Sequence, residues 1–129
     1  GHVIAFSPWL DMENRGATLV TNDATDALIS VPLLEGMIAG VLGETTSPSA
    51  PLANPLYADF TGFPPLYVNA GSVESLVDNA IRVAERAKGA GVDVTLHVAE
   101  GQQHVYPFLA GRVADVDAEL AAIGQWLRH

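Results

Sequence analysis

The chain has 129 residues, of which 49% are hydrophobic and 16% charged, a composition that indicates a globular domain with a core and excludes a disordered tail. Fifteen acidic residues against six basic ones give a formal net charge of −9, which argues against binding to nucleic acids or anionic membranes because phosphate groups would be repelled. The absence of cysteine excludes disulfides and thiolate metal sites.

The first half of the chain predicts one strand and one helix. Residues 3–6 form a continuous apolar run that ends at Ser7-Pro8, which is typical of a strand covered on both faces inside a parallel sheet. The polar residues 22–26 supply candidate N-caps for a helix predicted over 27–42. Residues 43–55, rich in Thr, Ser and Pro, predict a loop and give no sign of a domain boundary.

The second half predicts two more strands, each followed by a helix. Residues 65–70 are short and apolar, and the helix that follows Gly71 can be capped by Ser72. Residues 92–99 alternate between apolar and polar side chains, as a half-exposed strand does, and residues 113–128 have apolar side chains at helical spacing. The predicted fold is therefore α/β, with three parallel strands joined by right-handed crossovers and flanked by helices.

Two ionisable residues follow strands at the same predicted edge of the sheet. Glu74 comes directly after the second strand and His104 after the third, and functional groups in open α/β sheets gather at the carboxyl ends of strands. A carboxylate that holds a histidine in one tautomer is the supporting half of a nucleophile–histidine–acid triad. Two alternatives stay open: Glu74 could be no more than an acid favoured by a helix N-terminus, and Asp78 is the rival acid one helical turn later.

The other histidines and the serines are weaker candidates for chemistry. His97 belongs to the polar face of a strand, and His2 and His129 are terminal. None of the serines lies in the strained strand-to-helix turn that exposes a nucleophile: Ser7, Ser30, Ser47, Ser49, Ser72 and Ser75. The sequence has no metal-ligand spacing, no Gly-rich phosphate loop and no dinucleotide motif, so no cofactor and no metal are expected. It also shows no secretory signal and no uncharged run that could span a bilayer, which favours a cytoplasmic location.

Three motifs occur together in one order: Asn54-Pro55-Leu56-Tyr57 up to Pro64-Pro65, then Gly71-x-x-Glu74-x-Leu76-x-Asp78, then His104-Val105-Tyr106. This combination resembles the C-terminal half of the α/β-hydrolase-fold carboxylesterases of the bacterial hormone-sensitive-lipase-like family. The resemblance implies that Glu74 is the triad acid, although the family more often has aspartate there, and that His104 is the general base. It also implies that Trp9 and Val105 lie near the pocket for a small ester substrate.

In that family the nucleophile serine, in Gly-x-Ser-x-Gly, and the His-Gly-Gly oxyanion loop both precede the segment that this chain resembles. The resemblance therefore implies that residues 1–129 are the C-terminal part of a single hydrolase domain and are inactive alone. The strand over residues 3–6 would then have an open edge, covered by the missing N-terminal half or by a second copy. Two other functions stay open: a non-catalytic α/β module that self-associates through this edge, and a nucleotide-binding flavodoxin-like domain, which has only the fold class in its favour.

Overall fold

The computed structural model describes residues 1–128, so the terminal histidine His129 lies outside the described residues. Among the described residues there are three strands and four α-helices: β1 (Val3–Phe6), α1 (Thr18–Thr21), α2 (Val31–Leu42), β2 (Leu66–Gly71), α3 (Val77–Gly89), β3 (Val94–Ala99) and α4 (Ala114–Trp126). Short 3₁₀ turns at Pro55–Tyr57 and Tyr106–Leu109 precede β2 and α4.

The strands form one parallel sheet in the order β1-β2-β3, which confirms the predicted α/β architecture. Val3 pairs with Leu66 across the first strand pair, and Leu66 pairs with Val94 across the second. Because the three strands run in the same direction, the segments that follow Phe6, Gly71 and Ala99 all leave the sheet at the carboxyl ends of the strands. The candidate site forms at this end of the sheet.

The side chains of the central strand alternate between two helical layers. Leu66, Val68 and Ala70 point into a core that α3 covers, and the whole of β2 is buried. Helix α3 supplies its side of this core from residues at helical spacing: Val77, Ala80, Val83 and Ala87. Each fully buried Val or Leu contributes about 1.5–3 kcal/mol relative to an exposed one, so this core is the main source of stability.

The opposite face of β2 meets α4. The ring of Tyr67 packs edge-on against Trp126, with the ring centroids 5.6 Å apart, and the amide of Asn69 reaches Glu119. Helices therefore cover both faces of the sheet. This three-layer arrangement fixes the direction in which each strand end and its following loop leave the sheet.

Two of the predicted helix boundaries were wrong in detail, and one short helix was not predicted. Helix α2 begins at Val31, not at residue 27, with Pro32 in its first turn, where proline is tolerated. Helix α3 begins only at Val77, so Glu74 lies in the preceding turn and Ser72 does not cap the helix. The short helix α1 lies in a region where the sequence predicts no regular structure.

The first strand is the least protected part of the sheet. None of the residues of β1 is fully buried, and Phe6 is 38% exposed. Within the described part of the chain, β1 has β2 on one side and no strand on the other. No helix over residues 1–128 is long and apolar enough to cross a membrane.

Candidate active site

Glu74 lies in a buried turn between the end of β2 and the start of α3. Its side chain is completely removed from solvent. One carboxylate oxygen, Oε2, accepts hydrogen bonds from the backbone N–H of Gly71 at 2.8 Å and from the Ser7 hydroxyl at 2.7 Å. The second oxygen, Oε1, lies 3.4 Å from Nδ1 of His104. A buried carboxylate with this set of donors is held in one orientation.

His104 lies in the turn that follows β3. Its side chain is 18% exposed, so the ring contacts the buried carboxylate and still reaches the surface. The 3.4 Å separation is longer than an ordinary hydrogen bond, as is common in catalytic pairs before a substrate tightens them. When Nδ1 donates to Glu74, the neutral ring keeps Nε2 as an acceptor, which is the protonation state that a general base requires.

The backbone of the His104 turn is strained at the next residue. Val105 has φ of 51°, in the left-handed region, where a β-branched side chain is unfavourable. Such a conformation costs on the order of 1–3 kcal/mol and persists only where surrounding contacts hold it. One of these contacts is a hydrogen bond of 2.9 Å from the Val105 N–H to the Ser7 hydroxyl oxygen.

Ser7 is a member of the site that the sequence analysis did not identify. Its hydroxyl donates to Glu74 and accepts from Val105, so it joins the acid loop to the histidine turn. The side chain is buried and both hydrogen-bonding roles are used, which supports the expectation that Ser7 is not a nucleophile. A signal was present in the sequence, because Ser7 follows β1 at the edge where Glu74 and His104 follow β2 and β3.

Gly71 brings the same two loops into backbone contact. A Cβ atom built on this residue would lie 2.0 Å from the carbonyl oxygen of Gln102 and 2.8 Å from that of Gln103. Both atoms belong to backbone and cannot move aside as a flexible side chain could. The His104 turn therefore packs directly on the end of β2, and only glycine leaves room for it.

A polar segment over residues 22–27 braces both loops. The Asn22 amide donates to the carbonyl oxygens of Ser72 and Glu74, and Asp26 accepts from the Ser75 N–H at 2.6 Å. Burial raises the pKa of the Asp26 carboxyl, but hydrogen bonds from backbone N–H groups outweigh that effect and lower it. The Gln103 side chain bonds this segment twice, at the Ala27 N–H and the Thr25 carbonyl oxygen. The sequence predicts residues 22–26 only as candidate helix N-caps, not as part of the site.

Asp78, the rival acid, lies in a different cluster. Its carboxylate is 3.4 Å from Arg82, and the same guanidinium is 2.6 Å from the buried Asp11. Burial raises the pKa of Asp11, but the hydrogen bonds from Arg82 and from the N–H groups of Arg15 and Glu13 bring it below its ordinary value. Among the described residues, Glu74 is the carboxylate that contacts His104. Asp78 pairs with Arg82 instead.

The two predicted pocket residues have different surroundings. Trp9 packs against a small apolar cluster that includes Leu19, Leu34 and Leu76, and its indole N–H donates to the Asp11 carbonyl oxygen. Val105 is half-buried beside His104. Their contact with a substrate stays a prediction.

Among residues 1–128, no group of three or more His, Asp or Glu side chains is arranged to hold a metal ion. An imidazole that a buried carboxylate holds in place, and that is 18% exposed, can take a proton from a nucleophile and return it to a leaving group.

Comparison with known proteins identifies the family of this chain. A protein-family model described as the alpha/beta hydrolase fold matches residues 1–108. The chain belongs to the alpha/beta hydrolase fold family. The matched residues of this hydrolase-fold chain include the whole sheet, Ser7, Glu74 and His104, while α4 lies beyond them.

Two curated relatives of this hydrolase-fold chain are named as an esterase and an acetyl-hydrolase. An esterase of Acinetobacter venetianus is 31% identical over 124 residues, which are 96% of this chain and 41% of that protein. An acetyl-hydrolase of Streptomyces hygroscopicus is 32% identical over 125 residues, which are 97% of this chain and 42% of that protein. The chain therefore spans less than half the length of both relatives.

Solved structures give the same result. The crystal structure of an esterase from the bacterial hormone-sensitive lipase family superposes with a TM-score of 0.93 at 39% identity, and the match covers 98% of this chain and 42% of that one. A hormone-sensitive lipase from a metagenome library superposes with a TM-score of 0.92 at 28% identity. The resemblance to hormone-sensitive-lipase-like esterases that the sequence motifs predict is confirmed.

Proposed function

We propose that this chain supplies the acid and the base of a serine carboxylesterase, with Glu74 as the acid and His104 as the general base. The observation that carries the proposal is the contact between Oε1 of a fully buried Glu74 and Nδ1 of His104, while Oε2 is fixed by two other donors. In this arrangement the carboxylate has one oxygen free for the imidazole and cannot rotate away from it.

In the proposed reaction, Nε2 of His104 takes the proton of the nucleophile serine as the serine oxygen attacks the ester carbonyl. Glu74 stabilises the imidazolium that forms and keeps Nδ1 as the donor. The imidazolium then gives its proton to the leaving alcohol, and the same ring activates the water that hydrolyses the acyl-enzyme. Small carboxylic esters are the proposed substrates, in keeping with the printed names of the esterase and acetyl-hydrolase relatives.

The nucleophile and the oxyanion loop are proposed to lie on a segment upstream of this chain within the same hydrolase domain. Three features support this: Ser7 is already committed to Glu74 and Val105, the chain spans 41–42% of its curated relatives, and β1 has no strand on its outer side among the described residues. An apolar cavity of about 210 Å³ beside β1, lined by residues such as Val3, Ala5 and Phe63, offers further surface for that segment.

The test compares the chain alone with the complete protein that contains the upstream segment. Hydrolysis of a short-chain aryl ester is expected only from the complete protein, and His104→Ala is expected to remove nearly all of it because the base is lost. Saturable turnover by the chain alone that a serine-directed phosphonate abolishes would contradict the upstream nucleophile. Wild-type turnover by a folded His104→Ala variant would contradict the role of His104.

Sedimentation of the chain alone separates the two proposed occupants of the β1 edge. Dimers that disappear when the upstream segment is present indicate that a second copy takes the same place as that segment. A monomer whose outward-facing β1 amides exchange freely with solvent argues against a second copy at this edge.

A further inference from the structure

Another buried carboxylate, that of Glu119, contacts Tyr106 in the turn that contains His104. Glu119 is only 7% exposed and occupies the buried face of α4, at helical spacing from Val116 and Ile123. An apolar residue would fill this position at lower cost, because a buried charge must recover its lost hydration from nearby donors. The proposed reaction does not use Glu119, so its presence in this core calls for another explanation.

Side chains from three elements donate hydrogen bonds to Glu119. The Tyr106 hydroxyl donates to Oε2, the Asn69 amide donates to Oε1 at 2.8 Å, and His97 lies 2.8 Å from Oε2. Tyr67 adds a longer contact of 3.4 Å to Oε1. Burial raises the pKa of Glu119, but the hydrogen bonds from these partners outweigh burial and lower it, so the group is an anion at neutral pH.

One of these donors, Tyr106, belongs to the histidine turn. Tyr106 is buried, follows Val105 directly and closes the turn through a hydrogen bond of 3.2 Å from its N–H to the Gln103 carbonyl oxygen. Burial, together with the Glu119 carboxylate, raises the pKa of the Tyr106 phenol, so it stays protonated and a donor at neutral pH.

The strained peptide of Val105 therefore lies between two anchors. On one side the Val105 N–H is bonded to Ser7, and on the other side the next side chain, Tyr106, is bonded to Glu119. A left-handed β-branched residue returns to a relaxed conformation when its neighbours release it. That relaxation would rotate the peptide that precedes it and carry the His104 ring away from Glu74.

We propose that Tyr106 and Glu119 are positioning residues, which hold the His104 turn in the strained conformation that places the imidazole on Glu74. The proposal rests on the proposed role of His104 as general base. Glu119 lies on α4, beyond residues 1–108 that the family model matches, while Tyr106 lies within them.

The test uses Tyr106→Phe in the complete protein, with Tyr67→Phe as the matched control. Both changes remove one buried phenol hydroxyl that contacts the same carboxylate, but Tyr67 lies in the middle of the sheet and Tyr106 lies next to the histidine turn. Steady-state hydrolysis of an aryl ester gives kcat and KM for each variant, and thermal unfolding gives Tm. His104→Ala is measured alongside as the reference for loss of the base.

For Tyr106→Phe we expect kcat to fall on the order of 10- to 100-fold with little change in KM, as a base displaced by about 1 Å would give. Tyr67→Phe is expected to keep the wild-type kcat even if its Tm falls as far as that of Tyr106→Phe. Glu119→Asp, which withdraws the acceptor by one methylene and keeps the charge, should lower kcat in the same way. Combining Glu119→Asp with Tyr106→Phe should then cause little further loss, because both changes break one contact.

A Tyr106→Phe variant with wild-type kcat, or equal losses in Tyr106→Phe and Tyr67→Phe, would overturn the proposal and leave the role of His104 intact. Additive losses in the double variant would also overturn it. If Tyr106→Phe does not yield folded protein, Glu119→Asp against Tyr67→Phe decides by the same criterion. A folded His104→Ala variant with wild-type turnover would overturn the proposed function, and this inference with it.

Discussion

The two oxygens of Glu74 have separate tasks, and this separation decides what a substitution does. Oε2 receives two hydrogen bonds, from Gly71 and Ser7, while Oε1 faces His104. An amide in place of the carboxylate has one oxygen, and the two donors hold that oxygen at the Oε2 position. The amide nitrogen must then face Nδ1 of His104, which forces the ring into the tautomer with its proton on Nε2.

Glu74→Gln is therefore expected to lower kcat by roughly 10³- to 10⁴-fold in the complete protein, the scale seen when a triad acid becomes an amide, with a much smaller change in KM. Steady-state kinetics with an aryl ester measures both constants. Asp78→Asn is the matched control, because it removes a nearby charge that pairs with Arg82 instead of the imidazole. A larger loss of kcat in Asp78→Asn than in Glu74→Gln would show that Glu74 is not the acid that supports His104.

The sequence predicts some residues of this site and does not identify others. Glu74 and His104 follow two strands that the apolar pattern identifies, so their shared edge can be deduced. Ser7 and Glu119 are concealed for different reasons. A serine after a strand is common in turns, and an acid at helical spacing is assigned to the solvent face unless its donors, which come from distant elements, are known.

At the level of elements, the order of strands and helices is predictable and one important boundary is not. The segment between Gly71 and Val77 has the composition of a first helical turn, yet it forms a separate turn. Its carbonyl oxygens and N–H groups bond to Asn22, Thr25 and Asp26, about fifty residues earlier in the chain. A local pattern contains no information about such partners, so tertiary contacts override the helix propensity.

Gly71→Ala is expected to separate the end of β2 from the histidine turn. The added methyl group would lie 2.0 Å from the Gln102 carbonyl oxygen, so the turn must move. We expect a loss of about 1–3 kcal/mol in the free energy of unfolding and a fall in kcat of more than roughly tenfold. Chemical denaturation and steady-state kinetics measure the two effects.

Gly40→Ala is the matched control for this change. Gly40 lies inside α2, and no heavy atom outside the neighbouring backbone of that helix comes within 4 Å of a Cβ built there. Alanine should stabilise the helix by about 0.5–1 kcal/mol without altering kcat. If Gly71→Ala proves as harmless as Gly40→Ala, the close packing of the two loops is not needed for the site.

For the whole molecule, buried carboxylates make folding stability dependent on pH. The pKa of Asp11 in the folded protein lies below its ordinary value of 3.8, so the unfolded chain binds this proton more readily than the folded one. Asp11 therefore stabilises the fold fully above pH 3.8, and the stabilisation is lost as the pH falls through its lower folded-state pKa. Glu119 acts in the same sense below its ordinary value of 4.5.

Unfolding midpoints measured between about pH 6 and about pH 2 should consequently fall steeply below about pH 4. Asp11→Asn should lower the midpoint at pH 6 and flatten this fall, because one group that takes up a proton on unfolding is gone. Asp23→Asn, at an exposed position, should leave the curve unchanged. An Asp11→Asn curve parallel to that of the unchanged protein would contradict the assignment.

The pairing of β1 with β2 also sets the order of events during synthesis. Val3 pairs with Leu66, so roughly 60 further residues must be synthesised before β1 can pair with β2. At a synthesis rate of about 5–20 residues per second this takes roughly 3 to 12 s. During that time the edge of β1 that pairs with β2 is open to pairing with other newborn chains, and a chaperone that binds short apolar segments would protect the chain at this strand.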